Sequence, residues 1–205
     1  MRDVLGPTEH TAPMNDEVTY GDGVPGEREL RLLGNLSGGR RVVELGIAGN
    51  AVALAASGAK AIALDPDPGA IADLRSVAAR AGVSVECHHG ELADLGFAPS
   101  GTIDVVLASH TLDDDDDLSR TLRQVHRVLK VGAPFVIAVA HPFAAVGTGA
   151  DGRQHRYGDD HRTVGELLTA LARTNFRIEA FHELGVDDDT PVPTVLVVKT
   201  RKEGS

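Results

Sequence analysis

Residues 41–66 read RVVELGIAGNAVALAASGAKAIALDP, and this stretch decides the fold. RVVEL at 41–45 is a short apolar run of strand type that ends at a glycine. AVALAAS, after the loop, is a helix rich in small apolar residues, and KAIAL at 60–64 is a second strand. Two such strands joined by a helical crossover imply a parallel pair with a right-handed connection.

Toward the carboxyl end the beat repeats. From Pro68 to Ala81 the apolar residues Ile71, Leu74, Val77, Ala78 and Ala81 fall three and four apart, a helical face closed by Gly82. VSVECHH at 83–89 and TIDVVLAS at 102–109 are the third and fourth strands. LSRTLRQVHRVLK at 118–130 is a helix with Leu118, Leu122, Val125 and Leu129 on one face, and PFVIAVA at 134–140 is the fifth strand. Residues 142–162 break the pattern with glycine, charge and histidine. A further amphipathic helix spans 163–176, and two last strands, RIEAFHEL and TVLVVKTR, are linked by only nine residues. That link holds no crossover helix, so the pair is antiparallel. The expected architecture is an α/β, Rossmann-like doubly wound sheet of seven strands. It is mostly parallel, with one antiparallel strand near the edge and helices on both faces.

Toward the amino end, residues 1–27 carry Pro7, Pro13, Pro25 and four glycines without apolar periodicity, which predicts a flexible arm. A short helical face, Leu30, Leu33 and Leu36, opens the remaining single domain, 28–205, in which 142–162 forms a loop or lid insertion. With 205 residues, 42% hydrophobic and 24% charged, the chain has the composition of one ordinary globular domain. Its formal charge of −10 repels phosphate backbones, so neither nucleic acid nor an anionic membrane is an expected partner. The lone Cys87 and an opening without a signal-like apolar segment lead to the expectation of a cytoplasmic chain, and no apolar run approaches a membrane span. A monomer or a homodimer is expected.

In an open parallel sheet the ligand crevice lies beyond the carboxyl ends of the strands. There the sequence places Glu44, Gly46, Ala48 and Gly49 after strand one, Asp65 and Pro66 after strand two, Gly90 and Glu91 after strand three, Ser109 and His110 after strand four, and His141 after strand five. Gly46 and Gly49 permit torsions and close approach that a Cβ would block. Asp65 stands nineteen residues beyond Gly46, near the distance at which an acid reaches a ribose hydroxyl, which suggests a nucleoside ligand. The lesser alternative for Asp65 is an N-terminal charge favouring the helix after it. The dinucleotide fingerprint G-x-G-x-x-G fails at Ile47–Gly49, and Tyr157 and Tyr20 lack a lysine four residues on, which disfavours an oxidoreductase using NAD. Glu44 would hold a cationic ligand group and repel a diphosphate. The aspartate run 113–117 reads as a solvated, helix-favouring charge cluster, and His155 and His161 lack a metal-ligand spacing, so no metal is expected.

VVELGIAGNAVALA, AIALDPD, CHHGELADL, IDVVLASHTL and VHRVLKVGAPFVIAVAHP, taken in order over residues 41–142, resemble the successive motifs of the class I S-adenosylmethionine-dependent methyltransferases. TYGDGVP, HRTVGELLTALARTNFRIE and LVVKTRKEGS extend the likeness to most of the chain. The resemblance implies S-adenosylmethionine as cofactor and a small-molecule methyl acceptor. It implies that Gly46 to Gly49 face the methionine part with Glu44 nearby and that Asp65 takes the ribose hydroxyls. Glu91 meets the adenine amine, Leu92 packs on the ring, and Ser109 and His110 border the sulfonium. Where family members read E-L-G-C-G-x-G, this chain has Ala48 and Asn50 at the second and third glycines, and the interval from Glu44 to Asp65 is shorter than usual. His110 and His141 are the catalytic candidates, with a structural histidine as the alternative for each. Tyr20, His155, Tyr157 and His161 are candidate substrate contacts by position. The altered glycine loop keeps a noncatalytic nucleoside-binding or regulatory protein on the same fold as the alternative, with an NAD-linked oxidoreductase behind it.

Overall fold

The computed structural model describes residues 17–113, 117–148, 153–187 and 190–204. Its strands are β1 (Arg41–Leu45), β2 (Lys60–Asp65), β3 (Val85–His89), β4 (Val105–Ser109), β5 (Pro134–Ala140), the two-residue β6 (Gly147–Thr148) and β7 (Gln154–His155), β8 (Phe176–Leu184) and β9 (Val195–Lys202). The helices are α1 (Glu27–Leu30), α2 (Ala51–Ala56), α3 (Pro68–Ala81), α4 (Leu118–Val128) and α5 (Val164–Arg173), with a 3₁₀ turn at Leu95–Phe97. Seven strands form one sheet in the order β3-β2-β1-β4-β5-β9-β8, and β6 pairs with β7 outside it. Strands β1 to β5 pair in parallel, while β9 lies antiparallel to both β5 and β8. The expected doubly wound sheet with its reversed strand is therefore present.

Alternate residues of the central strands serve opposite faces, which explains why these strands read as continuous apolar runs. Val43, Leu45, Val106, Ala108, Phe135 and Ile137 pack with Leu122 and Val125 of α4 and Leu167 and Leu171 of α5. Val42, Val105, Leu107, Val136 and Ala138 pack on the other face with Leu54 of α2 and with Val18, Tyr20, Leu32 and Leu33. The chain runs from β1 outward to β2 and β3, then returns to lay β4 on the other side of β1. The topological switch point, where a crevice opens, is thus between β1 and β4.

The local signals set several boundaries. Asp67 caps α3 by accepting from the Gly69 amide at 2.8 Å, Pro68 follows it, and Gly82 at φ 69 ends the helix. Thr163 and Glu166 form a reciprocal capping box on α5. Other boundaries differ from the sequence reading. The helical face expected up to Leu36 is a single turn, because the Glu27 carboxylate accepts the Leu32 and Leu33 amides, both at 2.9 Å, and Arg31 turns left-handed at φ 52. The fourth strand begins at Val105, since Ile103 bridges to Leu129 instead. Of the arm expected over 1–27, residues 17–26 lack regular structure yet bury Val18 and Tyr20 in the core. Residues 1–16 lie outside the described residues, as do Asp114–Asp116 of the aspartate run. No helix among the described residues is long and apolar enough to cross a membrane.

Candidate functional site

The loop after β1 is built around two carboxylates. Gly46, at φ 75, turns the chain out of the strand and donates its amide to the Leu64 carbonyl at 2.8 Å. Glu44, fully buried, points back into the loop it precedes. Its Oε1 accepts from the Ala48 and Asn50 amides at 3.0 and 2.9 Å, and its Oε2 from the Ala51 amide at 2.8 Å. Asp65, at the end of β2, accepts from Ile47 at 2.6 Å through Oδ2 and from Asp67 at 2.7 Å through Oδ1. Four loop amides from Ile47 to Ala51 are thereby bound by acidic side chains, which fixes the loop where an unpaired carboxylate would have been expelled. Burial pushes the Glu44 carboxyl up to about 7, against the pull of its three amide donors and with a smaller push from Asp65. Glu44 thus directs its oxygens at the loop backbone, not outward to a ligand cation. Asp65 keeps a sliver of exposure, 8%, at the rim.

At the switch point Gly46 meets the turn after β4. A Cβ on Gly46 would lie 2.5 Å from Thr111 Cβ and Cγ2, so the glycine is required for this approach. Thr111 Oγ1 donates to the Leu45 carbonyl at 2.5 Å, which locks the methyl over Gly46. Gly49, at φ 91, has open space on the side a Cβ would take. Ser109 is buried, and His110 stands left-handed at φ 55, a conformation a bulky residue adopts at a cost. The His110 Nε2 lies 2.9 Å from the Tyr20 carbonyl and its Nδ1 3.5 Å from Asp113 Oδ2. Asp113 raises the imidazole above the ordinary histidine value, overcoming the opposing effect of burial.

The other positions singled out in the sequence divide into two groups. Gly90 donates to the Asp65 carbonyl at 3.1 Å and His89 Nε2 meets the Pro66 carbonyl at 3.0 Å, so the β2 and β3 ends form one rim with exposed Glu91 and half-buried Leu92. Glu44, Gly46, Ala48, Gly49, Asp65, Pro66, Gly90, Glu91, Leu92, Ser109 and His110 all lie along this carboxyl edge. His141, at the end of β5, is turned away from it: Nδ1 accepts the Phe143 amide at 3.1 Å and Nε2 faces Glu183 of β8 at 3.0 Å. Tyr20 is buried completely and donates its hydroxyl to Glu27 at 2.5 Å, so burial and that carboxylate drive its pKa far upward. His155 Nδ1 pairs with Asp160 at 2.5 Å, and the half-exposed Tyr157 accepts the Val164 amide at 3.0 Å. His161 lines a cleft of about 1230 Å³ that runs between α4, from Leu118 to His126, residues 158–163, and α5 with the turn after it as far as Asn175, shared with Asp113, Arg123 and Arg162. Its Nδ1 is buried without a hydrogen-bond partner among the described residues. Sequence reasoning gave no role to Thr111 or Thr19 and read Asp113 as part of a solvated run, whereas its carboxylate is mostly buried, accepts the Ala140 amide at 3.1 Å and faces His110. Asn50, in a glycine's place, was the one visible signal, and its side chain pairs with Thr19 in both directions, accepting at 2.8 Å and donating at 3.1 Å.

Residues 43–137 match the methyltransferase-domain family. That segment runs from β1 to β5 and contains the whole carboxyl edge just described. The fold is that of the class I S-adenosylmethionine-dependent methyltransferases. An S-adenosylmethionine-dependent methyltransferase from Mesorhizobium loti is 24% identical with a TM-score of 0.68, over 84% of this chain and 94% of that one. The geranyl diphosphate C-methyltransferase of Streptomyces coelicolor, solved with geranyl diphosphate and S-adenosylhomocysteine, is 13% identical with a TM-score of 0.67, over 86% and 78%. The [4+2]-cyclase SpnF shares the same methyltransferase fold at 18% identity and a TM-score of 0.65, over 83% and 77%. At these identities the likeness is one of fold, and fold alone leaves the chemistry open. No curated protein matches the sequence.

Proposed function

We propose that the chain is an S-adenosylmethionine-dependent methyltransferase acting on a small-molecule acceptor. The observation that carries this reading is the pairing of Asp65 with the glycine loop at the β1–β4 switch point. A carboxylate at the rim, bonded to the Ile47 amide, stands beside the open backbone of Gly49. A nucleoside fits these residues: Asp65 retains lone pairs for ribose hydroxyls, Glu91 is exposed for the adenine amine, and Gly49 leaves room for close approach. When bound, the cofactor supplies an activated methyl on a sulfonium. The chain then has to align the acceptor and exclude water more than move protons. Both nitrogens of His110 and of His141 are already engaged within the chain, so neither is a free base as it stands. The cleft beside His161 and Arg162 is the acceptor site of this reading. The lone Cys87 supports the cytoplasm as its compartment, and the charge of −10 supports a partner other than nucleic acid.

The Thr111 methyl over Gly46 favours a second reading, a nucleoside-binding protein without transfer activity, because it occupies space beside the loop that would face a methionine group. Backbone amide NMR during titration with S-adenosylhomocysteine tests the first. Shifts are expected at Gly46–Asn50 and at Gly90–Glu91 together. Shifts confined to Gly90–Glu91 would support nucleoside binding alone, and no shift would remove both readings.

A further inference from the structure

Residues 17–26 cross the β1–β4 switch point and are fastened there by two side chains from the carboxyl edge. Asn50, on the glycine loop, exchanges two hydrogen bonds with the Thr19 backbone. His110, at the end of β4, holds the next carbonyl, that of Tyr20, and a Cβ on Gly21 would touch its Nε2 at 3.1 Å, so backbone and ring are in direct contact. The segment is closed on its far side by the Glu27 amide, which donates to the Val18 carbonyl at 2.9 Å.

The chemistry of the His110 contacts decides its charge state. Nε2 faces a carbonyl oxygen and Nδ1 faces a carboxylate oxygen, and both are acceptors only. A neutral imidazole has one N–H and one lone pair, so it satisfies one neighbour and turns a lone pair on the other. The imidazolium satisfies both. Asp113 is itself held in place, since its Oδ1 accepts the Ala140 amide at 3.1 Å. Among the described residues, the carboxylates acting on the ring are Asp113, from the turn after β4, and Asp22, from the segment itself, and both favour the cation.

We propose that residues 17–26 are a strap held across the β1–β4 switch point by protonated His110 and loosened when that imidazole loses its proton. The sign follows from linkage. A histidine favoured as the cation in the closed form holds the strap at low pH, and the hold is lost as pH rises through its raised pKa. The two Asn50 bonds and the buried Val18 and Tyr20 side chains then hold the strap without the charged contact, so it opens more often as a unit, the Thr19 amide included. This inference concerns the chain's own conformation and stands apart from the identity of the ligand.

Amide hydrogen exchange, corrected for intrinsic rates and followed from about pH 5.5 to about pH 8.5, reads the latch directly. Loss of one charge-assisted bond predicts that protection of residues 17–26, the Thr19 amide included, falls about ten- to a hundredfold across that range beyond any change at the β4 amides, which report the global loss of stability from Glu44. Asp113→Asn should move the step to lower pH. His110→Asn, which tolerates the left-handed backbone, should abolish it. A strap whose protection is the same at both ends of the range overturns the proposal, as does a step that survives in His110→Asn.

Discussion

Substituting Glu44 with glutamine isolates the electrostatic cost built into the glycine loop. The folded carboxyl sits at about 7 against a reference of 4.5, so between these values the folded chain keeps a proton that the unfolded chain has released. Stability must fall as pH rises through that window, and it falls no further above it. Integrated from about pH 5 to about pH 8, the single site removes about 2 to 3 kcal/mol of stability. Glu44→Gln cannot titrate. It also has one oxygen for three amides, Ala48, Asn50 and Ala51, so it carries a constant penalty at every pH. Urea unfolding of both proteins at the two pH values cancels the other carboxylates, which are common to both. The wild type should lose about 2 to 3 kcal/mol relative to the variant on going to the higher pH. Equal pH dependence, or a relative gain by the wild type, would refute the reasoning and show that the three amide bonds outweigh burial.

Two further substitutions probe the same loop. Gly46→Ala should cost about 1 to 2 kcal/mol for the left-handed backbone and about 1 to 3 more for the clash with Thr111. Thr111→Gly in the same chain should recover only the second part, and additivity of the two substitutions in urea unfolding would show that the contact is not tight. Asp65→Asn should weaken S-adenosylhomocysteine binding by about 1.5 to 3 kcal/mol in calorimetry. Undiminished affinity would leave Asp65 with only its bonds to Ile47 and Asp67.

The fold was legible wherever a local signal coincided with the tertiary outcome. Helix α3 is bounded as read because Asp67, Pro68 and Gly82 act within a turn of their own position, and the strands show as apolar runs because both sheet faces are covered. The positions of Gly46 and Asp65 were legible for a similar reason, since strand and crossover lengths fix the spacing between adjacent strand ends. What the side chains do there was not. Glu44 reads as a ligand-facing acid until the loop is seen folding back onto it. Tyr20 reads as a substrate contact, whereas its apolar ring belongs to the core cluster with Leu33 and Leu54 and leaves only its hydroxyl to be paired, by Glu27. The latch joins His110 to a carbonyl ninety residues earlier in the chain, and the Thr111 contact with Gly46 spans two non-consecutive strands. Pairings of this kind leave no periodicity in the sequence. They arise from the β1–β4 neighbourhood alone.

Calorimetric titration with S-adenosylmethionine, S-adenosylhomocysteine and adenosine tests the central claim most directly. The proposed methyltransferase binds both of the larger ligands, and binds them more tightly than adenosine, because the loop from Gly46 to Asn50 adds contacts to the amino-acid end. Equal affinity for adenosine and S-adenosylhomocysteine, or no heat from any of the three at millimolar concentration, would contradict it.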